Sequence, residues 1–199
     1  MKAVIFDLDG VLIDSKENMR LAWGMVMLQC KIKVPFEKYF AEIGKPFEDI
    51  LDTIGIHNSH TMIKTIYDHY SKENLDKIKI YKGACDTLVE LKRNGYKTAI
   101  VTSKSQDRTN KILLQLPRFD WVSCPRDFSR GKPAPDQLLY TLAHLKVDPS
   151  DAVYVGDMQT DKECADRASV KFIHAKYGYG EVQCEHSLNQ LSDLNKLLD

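Results

Sequence analysis

Asp7 and Asp9 close a short apolar run, AVIFDLDG from Ala3 to Gly10. Residues two apart on an extended strand project to the same side, so both carboxylates reach past the strand's carboxyl end while Leu8 turns back. Gly10 then permits a turn that a Cβ would hinder. A solvated rim of acids would carry no further chemistry, but other apolar runs end in reactive groups too. TAIV, Thr98 to Val101, runs into Thr102-Ser103-Lys104; AVYV, Ala152 to Val155, runs into Gly156-Asp157, with Asp161 beyond. Arg130-Gly131-Lys132-Pro133-Ala134-Pro135-Asp136 leads into a helical segment. If these runs are parallel strands, carboxylates, a hydroxyl and an ammonium meet at one sheet edge.

That set suits phosphoryl transfer. A carboxylate can attack phosphorus only when the charge on the phosphate is neutralised, which calls for a hard dication and further positive or hydrogen-bonding groups. Asp7, Asp157 and, as a further ligand, Asp161 offer oxygens of the type Mg²⁺ takes, with water and a substrate phosphate completing the octahedron. Lys132 and the hydroxyl of Thr102 or Ser103 would hold phosphate oxygens. Asp9, beside Asp7 but able to stay off the metal, is placed to give a proton to a leaving oxygen and later to activate water.

Such groups need a rigid carrier. Val4 to Phe6, Thr98 to Val101, Ala152 to Val155 and Val170 to Ile173 are short and rich in β-branched or aromatic residues, as strands covered on both faces should be; Phe119 to Ser123 is a weaker fifth. Between them, Ala84 to Arg93, Asp107 to Leu116 and Asp136 to Leu145 have helical period, the first stopping at Asn94-Gly95. The alternation predicts an α/β fold, a Rossmann-like parallel sheet with helices on both faces. Residues 16–79 break the pattern. Helical periodicity interrupted at Pro35 and Gly44-Lys45-Pro46, with no convincing buried strand, predicts a small α-helical cap inserted into a core of residues 1–15 and 80–199. Leu21, Met25 and Leu28 are expected on the inner face of its first helix, and Ile63, Ile66, Tyr67 and Tyr70 on that of a later one.

The 199 residues suffice for one domain with a modest insertion, and 43% hydrophobic with 28% charged residues marks a soluble globular chain. Lys and Arg balance Asp and Glu, 28 against 28, which argues against nucleic acid or an anionic membrane as partner and requires any anion to be bound locally. Cys30, Cys85, Cys124, Cys164 and Cys184 form no C-x-x-C pair and read as reduced thiols; with no signal-peptide core or membrane span, a cytoplasmic protein is expected. His57, His60, His174 and His186 lack a zinc spacing and read as surface or strand-end residues.

FDLDGVLIDS, VTSKS, RGKPAPD and VGDMQTD, in this order, resemble the four motifs of the haloacid dehalogenase-like (HAD) superfamily, and the helical insert resembles its mobile C1 cap, as in phosphoglycolate phosphatase and β-phosphoglucomutase relatives. The resemblance covers nearly the whole chain. It implies Asp7 as the nucleophile that forms an aspartyl-phosphate, and Asp9 as general acid and base whose backbone carbonyl also meets Mg²⁺. It further implies the Thr102 hydroxyl and Ser103 amide on the phosphate, Lys132 as the charge-stabilising lysine, Asp157 as a metal carboxylate, and Asp161 acting behind it or through a metal-bound water. Asp9 argues against a dehalogenase, which does not need this second aspartate. Arg167 and Ser169 depart from the small residues and glycine usual in relatives.

The expectation is thus an Mg²⁺-dependent phosphatase acting on a small-molecule phosphate ester, phosphoglycolate, a sugar phosphate or similar, as a monomer or homodimer. A sugar phosphomutase is the nearest alternative. A non-catalytic phosphate-ligand binding protein is a third, disfavoured by intact Asp7, Asp9, Lys132 and Asp157. In the cap, Lys45 is a candidate contact for an anionic substrate group and Phe47 for its apolar part; Arg20 and Trp23 are weaker candidates.

Overall fold

Branched and aromatic side chains at Val4 to Phe6, Ile100 and Val101, and Val153 to Val155 are fully buried, which fixes these runs as central strands. The computed structural model describes residues 2–127 and 129–198. The chain runs β1 (Ala3–Phe6), β2 (Ile13–Asp14), α1 (Lys16–Cys30), α2 (Phe36–Phe40), α3 (Phe47–Thr53), α4 (His60–Glu73) and β3 (Lys79–Ile80). It continues α5 (Ala84–Arg93), β4 (Lys97–Val101), α6 (Gln106–Leu113), β5 (Trp121–Ser123), α7 (Asp136–Leu145) and β6 (Ala152–Gly156). α8 (Gln159–Arg167), β7 (Lys171–Ala175), β8 (Ser187–Leu188) and α9 (Asn195–Leu198) complete it.

β5-β4-β1-β6-β7-β8 form one sheet in which every described neighbouring pair is parallel. β1 lies between β4 and β6, with Phe6 opposite Ile100 and Val155. The connections proceed outward from β1 on one side, through β4 to β5, and then return to β6 on the other. β1 therefore marks the switch point of an open α/β sheet, where the crevice beyond the strand ends takes ligands. Ala3, Ile5, Ala99, Val101, Tyr154 and Phe172 pack with Leu138, Leu142 and Leu145 of α7 and Cys164 and Ala165 of α8 into the core of one face. The alternate strand residues Val4, Phe6, Ile100, Val153 and Val155 point to the other, and α5 packs on β4.

One expected boundary shifts and one strand is unexpected. The helix expected over Asp107 to Leu116 ends at Leu113, because Leu114 is exposed and the chain turns ahead of Pro117. β8 was not expected; two residues give no period to read, and only their pairing with His174 and Ala175 makes them a strand. The cysteines are all free thiols, and no described helix is long and apolar enough to cross a membrane.

The chain divides into two compact units, one reaching Asp14 and resuming at Ile80, the other Ser15–Lys79. In the helical unit, the inner face of α1 is not Leu21, Met25 and Leu28. Met19, Ala22, Trp23 and Val26 are buried, and Leu28 is 71% exposed. Side-chain anchors select that face: Trp23 stacks on Tyr39 at 4.4 Å and donates its indole N–H to the Val34 carbonyl, 2.9 Å. The Asn18 amide donates to the carbonyls of Ser71 and Asn74 at 2.8 and 2.9 Å, tying α1 to α4.

Candidate active site

Asp7 follows β1, its backbone N–H held by the Val155 carbonyl at 2.9 Å. It shares the face of Ala3 and Ile5, over which α7 and α8 pack, so its carboxylate is directed to the residues that precede α7 and open α8. There Lys132 Nζ lies 2.9 Å from Asp7 Oδ1 and 2.7 Å from Asp161 Oδ1. Burial pushes the Asp7 carboxyl up to about 7; Lys132 opposes the shift, and Asp161 and Asp9 add to it. Burial alone would depress the Lys132 ammonium, but Asp161 and then Asp7 overcome it and hold its pKa above the usual lysine value.

Asp157 follows β6 and is fully buried. Its Oδ2 accepts the Tyr179 amide at 2.7 Å, while its Oδ1 is buried with no partner among the described residues. Burial first, then Asp161 and Asp7, drive its carboxyl well above the usual range. Asp161, in the first turn of α8, differs. Its Oδ1 accepts from Lys132 at 2.7 Å and the Tyr154 hydroxyl at 3.0 Å; its Oδ2 accepts the amides of Asp157 at 3.2 Å and Met158 at 3.0 Å. A carboxylate has about four lone-pair sites, so these donors engage Asp161 fully. Oxygens of Asp7, Asp157 and Asp161 all lie within 4.8 Å of one another. The closeness requires glycine nearby: a Cβ on Gly10, whose φ is +80°, would stand 2.0 Å from Asp157 Oδ2, and one on Gly178 would stand 2.5 Å from the Gly10 carbonyl oxygen.

Asp9 is held from another side. The buried Lys104 ammonium lies 3.1 Å from Asp9 Oδ1. Burial lowers the pKa of Lys104 and Asp9 supports its charge. Thr102 continues from β4; its N–H donates to the Ser123 carbonyl at 3.0 Å, and its Oγ1 accepts the Lys104 amide at 3.1 Å. The Thr102 hydroxyl hydrogen has no protein acceptor among the described residues. Ser103 follows it, half-buried.

Two features were not singled out in the sequence, and a third was read there only as a bend near the site with no assigned role. Tyr154 places its hydroxyl 3.3 Å from Lys132 Nζ and 3.0 Å from Asp161; a lone polar tip in the AVYV strand was the available sign. Lys104 stands in the TSKS motif, with nothing there to pair it with Asp9. Gly178-Tyr179-Gly180, readable only as a bend, supplies the amide on Asp157. The Tyr177 and Tyr179 hydroxyls fasten that bend to the Val11 carbonyl at 2.9 Å and the Asp14 carboxylate at 3.0 Å.

The sequence pattern of the haloacid dehalogenase-like hydrolases matches residues 4–175. The chain belongs to this family. A protein named phosphoglycolate phosphatase from Aquifex aeolicus is 31% identical over 211 residues, covering 100% of this chain and 97% of the relative. One named pyrophosphatase PpaX from Bacillus velezensis is 32% identical over 203 residues, covering 96% and 94%. In fold, a hydrolase from Pseudomonas syringae superposes with a TM-score of 0.88 at 22% identity, covering 98% of this chain and 97% of its own.

In this haloacid dehalogenase-like hydrolase the donor set fits a hard dication. Three buried carboxylates crowd together, and Asp157 Oδ1 lacks any partner among the described residues, which is costly unless a ligand fills the place. Asp7 and Asp157 have oxygens to give; Asp161 is engaged by its four donors. Among the expected cap residues, Lys45 pairs with Glu42 and Arg20 with Glu17. Trp23 is core of the helical unit, and Phe47 packs against Tyr67 and Tyr39 at ring distances of 5.1 and 6.2 Å. Trp23 thus serves that unit's interior, while Phe47 is half-buried against it.

Proposed function

We propose that this chain is an Mg²⁺-dependent phosphatase that hydrolyses a small phosphomonoester through an aspartyl-phosphate on Asp7. The observation that carries the reading is one arrangement: a buried Asp7 touching Lys132, an unpartnered Asp157 oxygen beside it, and Asp9 on a second lysine. The names of the relatives, phosphoglycolate phosphatase and pyrophosphatase, support phosphorus as the site of attack.

Asp7 attacks phosphorus, forming its O–P bond as the ester P–O bond breaks, and Asp9 gives a proton to the leaving oxygen. Asp9 then takes a proton from water, which attacks the same phosphorus; the Asp7–phosphorus bond breaks and inorganic phosphate leaves. Lys132 balances the developing charge on the phosphoryl oxygens, Thr102 donates its hydroxyl hydrogen to one of them, and the Ser103 amide reaches another. Lys104 holds the Asp9 carboxylate in one orientation between steps. Mg²⁺, held by Asp7, Asp157 and the Asp9 carbonyl, would neutralise phosphate charge, with Asp161 supporting through its neighbours.

Release of inorganic phosphate from a panel containing phosphoglycolate, pyrophosphate and hexose phosphates, with Mg²⁺ and with EDTA, tests this. Metal-dependent release from at least one compound is expected. No release from any, alongside interconversion of hexose phosphates, would establish a mutase instead.

A further inference from the structure

An ammonium has three N–H donors, and Lys132 has three acceptors: Asp161 Oδ1 at 2.7 Å, Asp7 Oδ1 at 2.9 Å and the Tyr154 phenol oxygen at 3.3 Å. Its side chain is only 1% exposed. Lys132 is therefore saturated before any ligand arrives, and a phosphate oxygen arriving beside Asp7 gains a hydrogen bond from it only by displacing one of the three. The carboxylates are the charged and closer acceptors, whereas the phenol is neutral and the most distant. Tyr154 is also the partner that loses least. Its single hydrogen has two acceptors in reach, Asp161 Oδ1 at 3.0 Å and the Val101 carbonyl at 3.3 Å, so it keeps a donor bond whether or not it accepts from Lys132.

We propose that Tyr154 is a positioning residue that occupies the third proton of Lys132 between ligands and yields it to a phosphoryl oxygen. The inference rests on the phosphatase reading and deepens it. The exchange holds the lysine in place while keeping it from gripping phosphate too strongly, so product leaves readily. Its position supports this role: Tyr154 lies in β6, opposite Ile5 of β1, three residues before Asp157 and beside the strand that runs into Asp7.

The test is the binding of inorganic phosphate, with Mg²⁺ present, to the full chain and to Y154F by titration calorimetry. Phe leaves Lys132 with a buried donor lacking an acceptor, a deficit that phosphate fills. The Kd for phosphate is expected to fall by about tenfold, and phosphate to become a stronger product inhibitor by the same factor. A purely structural tyrosine would give the opposite, since loosened packing weakens binding. Equal or weaker phosphate binding by Y154F, in a natural chain that binds phosphate, overturns the role of Tyr154 alone. Absence of phosphate binding in the natural chain, together with no release from the ester panel, removes the phosphatase reading as well. Should Y154F fail to fold, 3-fluorotyrosine at position 154, whose oxygen is a poorer acceptor, carries the same test with a smaller gain expected.

Discussion

Three buried aspartates stand together, yet their surroundings assign them different work. Among the described residues, Asp161 is engaged by four donors, Asp157 keeps one oxygen without a partner, and Asp7 touches a single lysine. Asp157 also has a held backbone, its N–H on Asp161 Oδ2 at 3.2 Å, but its second oxygen is fixed by the Tyr179 amide, whereas the Asp7 carboxylate stands beside Lys132, and Asp7 is the one we assign to form the new bond. Asp7→Asn should therefore cut phosphate release by at least about a thousandfold, the scale of removing a nucleophile. Circular dichroism should show the fold intact, because the amide oxygen can still accept from Lys132; a variant keeping most of its turnover would refute the nucleophile. The types and spacing of Asp7, Asp9, Lys132 and Asp157 were legible because each follows or precedes a recognisable apolar run. The pairing of Asp9 with Lys104 was not, since no spacing rule connects a strand-end acid to a lysine in a later loop.

Strand ends and turns place these groups within reach of each other. Gly10 sits in the left-handed region with Asp157 pressed against it, so Gly10→Ala would force the carboxylate aside. A loss of stability of about 2 kcal/mol or more is expected in denaturant melts, with weaker metal binding by calorimetry. The opposite case lies at the end of α8, where Ser169 is exposed at φ +56° in the place a helix usually gives to glycine. Ser169→Gly should stabilise the chain by about 0.5–1 kcal/mol, read as a higher denaturant midpoint at unchanged slope. The departure from glycine, legible in the sequence, thus has a conformational cost. Helix faces were less legible: hydrophobicity pointed to Leu21, Met25 and Leu28, but the Trp23–Tyr39 stack and the Asn18 bridge turned another face inward.

At the scale of the whole molecule, the buried acids set how stability responds to pH and metal. Burial raises Asp7 to about 7 and Asp157 well above its usual value, whereas both are ordinary carboxyls in the unfolded chain. A raised folded pKa contributes stability that is fully present below the unfolded value and is lost as pH rises through the folded one. The Tm in EDTA should therefore fall as pH is raised from about 5 to 8, and the gap opened by Mg²⁺ should widen over the same interval. A gap independent of pH would count against Asp7 and Asp157 as the metal's ligands. The sequence by itself determined the α/β alternation, the helical insert and the set of reactive strand ends, because parallel strands bring their carboxyl ends to one edge whatever the detail between them. Only the tertiary structure decided that Tyr154 meets Lys132 and that the Tyr179 amide meets Asp157, each pair 22 residues apart. Such contacts depend on register, loop path and distances of a few ångströms, which local patterns of residue type do not encode.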